Sequence, residues 1–158
     1  MGEAMESEEW KVKSEKYYLT GKFELYKHYQ MKESILKKKT YNFALKVIKV
    51  YKQIISEHNE FVLSKQFLKS GTAPGALVRE AEYGQSKPDF ISKLSIALKE
   101  ANECDYWINL LKDSDYITLE TFNDLQNDNK EIIYMLISSV KTSKSTTWIE
   151  KRKAKTEE

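Results

Sequence analysis

Metal-centred and nucleophilic chemistry draw on histidine and cysteine, and this chain has few of either. His28 and His58 are its two histidines and Cys104 its one cysteine. A di-iron centre in a helical protein takes Glu-x-x-His pairs, because residues one turn apart point at the same metal. Leu25 and Ile55 stand at the required positions, so neither histidine qualifies. A single cysteine excludes an intrachain disulfide and a Cys-based zinc site. Cys104 also lies in an apolar seam, where it reads as a small buried hydrophobe. The acids Glu80, Glu82, Glu100, Glu103 and Asp105 form a carboxylate group able to hold a hard cation, but Arg79, Lys93 and Lys99 lie close in sequence. Ion pairing accounts for these acids more simply. The small-residue run from Ser70 to Ala76, SGTAPGA, lacks the Lys-Ser/Thr end of a phosphate-cradling loop, and no strand pattern precedes it. No nucleophile is coupled to a base, so the expectation is a protein that is not an enzyme, with no catalytic residues, cofactor or metal.

What remains is cationic chemistry. With 26 Lys+Arg against 24 Asp+Glu, the formal charge of +2 requires any nucleic-acid surface to be a local patch. Lys38, Lys39, Lys46, Lys49 and Lys52 fall on one side of a helix, and Lys65, Lys69 and Arg79 make a second stripe. Lysine dominates, which suits point-charge contact with phosphates better than bidentate reading of bases. Binding by such a surface is weakly sequence-specific and salt-sensitive. A solvated lysine face that keeps a bundle in solution is the plainer reading of the same residues. Trp10, Tyr17, Tyr18, Phe23, Tyr26 and Tyr29 alternate with lysines near the N-terminus, where they either stack on bases or pack against the rest of the protein.

Helices must position these residues. Five glycines and two prolines in 158 residues are too few for the frequent turns of a β protein. At about 100° per residue, Leu36, Phe43, Val47, Val50, Tyr51, Ile54 and Ile55 share one arc of a helix from Lys32 to His58. Residues 57–60 read as a turn. A second helix, about Glu60 to Gly84, places Leu63, Phe67, Ser70, Gly71, Pro74, Val78 and Ala81 on one side. Its small central residues suit close backbone approach, and Pro74 predicts a kink. Ser86, Pro88 and Asp89 start a third helix, whose seam runs from Phe90 through Leu94, Ala97, Ala101, Cys104 and Ile108 to Leu111. Thr118 caps a fourth, faced by Phe122, Leu125, Ile132, Ile133, Leu136 and Val140. The fold class expected is all-α: an antiparallel up-and-down four-helix bundle over residues 31–144. Residues 1–30 form an N-terminal extension, and residues 145–158 a charged, flexible tail with Trp148 as its possible anchor. The opening residues are acidic with no apolar h-region and no apolar run reaches membrane length, so neither a leader nor a membrane partner is expected, and the cytoplasm fits best.

The segment from Leu63 to Leu111 carries further motifs: SGT at Ser70 to Thr72, VREAE at Val78 to Glu82, QSKPDF at Gln85 to Phe90, IALKEANE at Ile96 to Glu103, then Tyr106-Trp107. In order and spacing these resemble a bacterial family of small four-helix bundles, the proteins of 23S rRNA intervening sequences. The accessory variability determinant of diversity-generating retroelements is similar. Ala73-Pro74 departs from the Ser-Ile usual in such relatives. The resemblance implies a bundle without known catalysis, commonly assembled as a ring of five. In the retroelement relatives it also implies a basic outer surface that binds nucleic acid, RNA or DNA, and partners a reverse transcriptase.

Assembly is also expected from the apolar inventory. Ile96, Tyr106 and Leu110 lie beyond the main arc of helix three, and Leu45 and Ile48 lie at or past the edges of helix one. Contiguous exposed apolar surface usually marks an interface. A closed cyclic homo-oligomer is therefore expected, with the pentamer following from the resemblance. The aromatic N-terminal arm is the alternative cover for the same surface. A structural or protein-interaction module with no nucleic-acid role is the competing functional expectation.

Overall fold

The computed structural model describes the backbone of residues 23–156 and the side chains of residues 35–145. Four α-helices follow one another: α1 Phe23–His58, α2 Leu63–Glu82, α3 Lys87–Asp113 and α4 Leu119–Thr156. Among the described residues there is no strand, and no helix is long and apolar enough to cross a membrane. The chain divides into two compact units, Met1–Ile35 and Leu36–Glu158. The described part of the first is the opening of α1, which begins at Phe23, nine residues before the expected Lys32. The N-terminal aromatics and Trp148 lie outside the described side chains. In the second unit the backbone of α4 is helical through Thr156.

Local chemistry sets the helix ends. Asn59 closes α1 in the left-handed region, φ 52°, with its N–H donating to the Ile55 carbonyl at 3.1 Å. The Glu60 carboxylate then accepts from the amides of Val62, Leu63 and Ser64 at 2.7–2.8 Å, so α2 begins at Leu63, after Glu60 instead of at it. Burial pushes the Glu60 carboxyl up, but these hydrogen bonds outweigh it and hold the group below its ordinary value. Ser86 caps α3, its Oγ accepting from the Asp89 amide at 3.3 Å. Thr118 caps α4, its Oγ1 accepting from the Thr121 amide at 3.2 Å.

The core gathers the expected stripes. Leu36, Phe43, Val47 and Ile54 of α1, Phe67 and Val78 of α2, Leu94, Ala97, Ala101, Cys104, Ile108 and Leu111 of α3, and Leu125, Ile132 and Leu136 of α4 are all buried. Each fully buried Leu, Ile or Phe contributes about 1.5–3 kcal/mol. Tyr51 and Ile55 are less enclosed, only half-buried. Burial raises the Cys104 thiol pKa to about 12, consistent with a packing residue.

The small residues of α2 lie where it meets both neighbours. A Cβ on Gly71 would fall 2.7 Å from Val47 Cγ2 and 3.3 Å from Cys104 Sγ, so α1 and α3 both close on this point. Helix α2 runs unbroken through buried Pro74, so the proline does not end it. Lys37 pairs with Glu82, Val47 meets Gly71, and Cys104 meets Gly71 while Lys93 pairs with Glu80. Partners run in opposite chain directions at each contact, which makes α1, α2 and α3 successively antiparallel. Asn129 Nδ2 donates to the Ala101 carbonyl at 3.0 Å, and Lys46 reaches Asp124, so α4 packs beside both α3 and α1.

Candidate nucleic-acid interface

Helix α1 is flanked by α2 on one edge and α4 on the other, and this divides its lysines. Lys46 Nζ lies 2.7 Å from Asp124 Oδ1 and 2.6 Å from Asp128 Oδ2, and Lys39 lies 2.6 Å from Glu131. Asp124 and Asp128 are one helical turn apart, which is why a single ammonium reaches both. Burial pulls the Lys46 pKa down, but the two carboxylates outweigh it and hold the group above its ordinary value. Lys39 and Lys46 are thus each compensated by acids of α4. Lys38, Lys49 and Lys52 face outward and have no acidic partner among the described residues. They span about 21 Å at 1.5 Å per residue.

The second stripe divides similarly. Lys65 and Lys69 are exposed on α2 without an acidic partner among the described residues. Arg79 turns toward α1: its guanidinium carbon lies 5.4 Å from the centre of the Tyr41 ring, and its Nη1 donates to the Gly75 carbonyl at 3.0 Å. The structure therefore leaves five of the eight expected cations open: Lys38, Lys49, Lys52, Lys65 and Lys69.

Sequence reading missed Lys130, Lys141 and Lys144, which are exposed on α4 with the 71% exposed Tyr134 between the first two. Their signal was their position opposite the Leu125, Ile132 and Leu136 stripe. The carboxylate group on α2 and α3 is dispersed into separate contacts. Glu80 pairs with Lys93, Glu82 with Lys37, and Glu103 accepts from Trp107 Nε1 at 3.2 Å. The Glu80 hydrogen bond holds the Lys93 ammonium above its ordinary pKa. Among the described residues, no three His, Cys, Asp or Glu side chains converge as a metal site.

A cavity of about 350 Å³ opens at one end of the bundle, where His58 packs edge-on against Tyr116 at 5.3 Å between ring centres. Glu57 and Asp115 are the acids in its wall, and no lysine or arginine lines it. It is separate in chemistry from the lysine face, since phosphate binding requires the opposite charge.

A small antiparallel four-helix bundle with charged seams and an outward lysine face is the class these features define. The family model of 23S rRNA-intervening sequence proteins matches residues 32–138, and the chain belongs to that family. Among solved structures it is similar to the crystal structure of a protein of unknown function from the S23 ribosomal protein family of Bacteroides thetaiotaomicron. The identity is 50% and the TM-score 0.68, over 70% of this chain and 98% of that one. No curated protein matches.

Proposed function

We propose that this chain is a non-enzymatic accessory protein that binds nucleic acid, RNA or RNA/DNA, through the open lysines of α1 and α2, and that it works as a homo-oligomer. The observation carrying this reading is that Lys38, Lys49 and Lys52 stay uncompensated on one face while acids of α4 neutralise their neighbours Lys39 and Lys46. A row of free ammonium groups on a rigid helix contacts phosphates without reading bases. Repeating that row around a closed assembly multiplies weak contacts into avidity. Titration of structured RNA at two salt concentrations tests the reading. Affinity should fall steeply with salt and drop when Lys49 and Lys52 are changed to Glu. Unmeasurable binding at low salt, or indifference to those changes, refutes it.

A second reading, assembly without nucleic acid, is favoured by Ile96 and Tyr106, which are 42% and 56% exposed on α3. Light scattering coupled to size exclusion should give a mass of several chains, a ring of five on the family resemblance. Ile96→Asp with Tyr106→Asp should lower it. Partnership with a reverse transcriptase rests on the retroelement resemblance alone. Co-purification with such an enzyme encoded nearby tests it.

A further inference from the structure

The outward face of α1 carries an aromatic ring among its free lysines. We infer that Tyr41 is a base-stacking platform and that this face takes single-stranded nucleic acid, an inference that rests on the nucleic-acid reading above. Tyr41 is 51% exposed although α2 lies beside it. Arg79 lies over one face of the Tyr41 ring, with the guanidinium carbon 5.4 Å from the ring centre and Nη1 anchored by a 3.0 Å hydrogen bond to the Gly75 carbonyl, so a base would stack on the opposite face. The arginine therefore steadies the ring while about half of the residue remains open.

Lys38 lies three residues before Tyr41 and Lys49 eight residues after it, which offsets the backbone positions of these two exposed lysines by about 4.5 and 12 Å along the helix axis. A base resting on the ring has a cation on either side for its flanking phosphates. Leu45, one turn further on and 50% exposed, extends the apolar surface toward Lys49. In a duplex the base faces are already stacked on each other and closed to the ring. An unpaired strand offers every base as a π face, and stacking adds affinity that lysine contacts alone do not.

The test measures fluorescence anisotropy of the full-length protein with a labelled oligoadenylate strand, an abasic strand of the same length and charge, and the corresponding duplex. The protein should prefer oligoadenylate to the abasic strand by at least about fivefold. Tyr41→Ala should abolish that preference and Tyr41→Phe should keep it. Lys49→Glu with Lys52→Glu should weaken binding to all three probes. Circular dichroism and light scattering establish that each variant keeps its helix content and mass. Equal binding of the two single strands, or a preference that survives Tyr41→Ala, removes the platform while the lysine effect leaves the nucleic-acid reading standing. Failure to bind any probe at low salt removes both. A Tyr41→Ala protein with altered mass and unaltered nucleic-acid affinity assigns the ring to a subunit contact and overturns the inference.

Discussion

A methyl group added at Gly71 probes the tightest point of the bundle. An alanine Cβ there would sit 2.7 and 2.9 Å from the γ-carbons of Val47 and 3.3 Å from Cys104 Sγ, all inside the core. Val47 is β-branched and has few rotamers into which to retreat. Alanine gains about 1 kcal/mol over glycine in a helix interior, whereas overpacking a filled core costs about 1–3 kcal/mol. At 2.7 Å a neighbour must shift, which puts the cost in the upper part of that range. Gly71→Ala should therefore destabilise by about 1–2 kcal/mol net. Gly75→Ala is the control, because its Cβ would meet Thr40 at 3.5–3.7 Å, an ordinary contact. It should stabilise by up to about 1 kcal/mol. Urea unfolding followed by circular dichroism at a fixed protein concentration measures both, since assembly shifts the midpoint. Val47→Ala removes the obstructing γ-carbons, so the double variant should be less destabilised than the sum of the singles by about 1 kcal/mol or more. A Gly71→Ala protein as stable as its parent, or simple additivity with Val47→Ala, refutes the close-approach argument.

The cap at Glu60 should give the protein an acid-sensitive component. Its folded pKa lies below the ordinary 4.5, so its stabilisation is complete above that value and disappears as pH falls through the lowered one. Glu60→Gln should cost about 1 kcal/mol near neutrality and flatten that part of a stability profile recorded from neutral to acid pH. Lys49→Gln should lower both RNA affinity and the salt slope, by about one unit in the latter, while Lys46→Gln, whose charge Asp124 and Asp128 already compensate, should change them less. Cys104 should resist dithionitrobenzoate in the native protein and release one thiol per chain on denaturation. Rapid native labelling would contradict its burial.

Local signals carried the architecture. Spacings of three and four residues revealed the core stripes of all four helices, and Ser86 and Thr118 announced their capping roles from the residues beside them. Glu60 was legible as part of a turn, but not as a cap whose carboxylate takes three amides. Two buried polar residues, Thr40 and Asn129, escaped a reading based on apolar spacing. Thr40 bonds back to the Leu36 carbonyl of its own helix, and Asn129 donates to Ala101 of another, a contact set by the α3–α4 register. The lysine face was legible as a face and no further. That Lys46 would be claimed by Asp124 and Asp128 while Lys49 stayed open depends on how α4 aligns with α1, and Lys46 and Asp124 are 78 positions apart in sequence.

The ion pairs along α1 also bear on the handedness of the bundle. Lys39 and Lys46 mark the edge of α1 that must meet α4, and Lys37 marks the edge that must meet α2 at Glu82. A bundle wound in the opposite sense would bury much the same apolar stripes but exchange the two edges of α1, turning each of these lysines from its acid. Exposed pairs of this kind contribute little energy individually. Their value lies in discriminating between two mirror-related windings that hydrophobic burial alone leaves nearly degenerate. The charges along α1 therefore serve as an address, telling the first helix on which side the last one belongs.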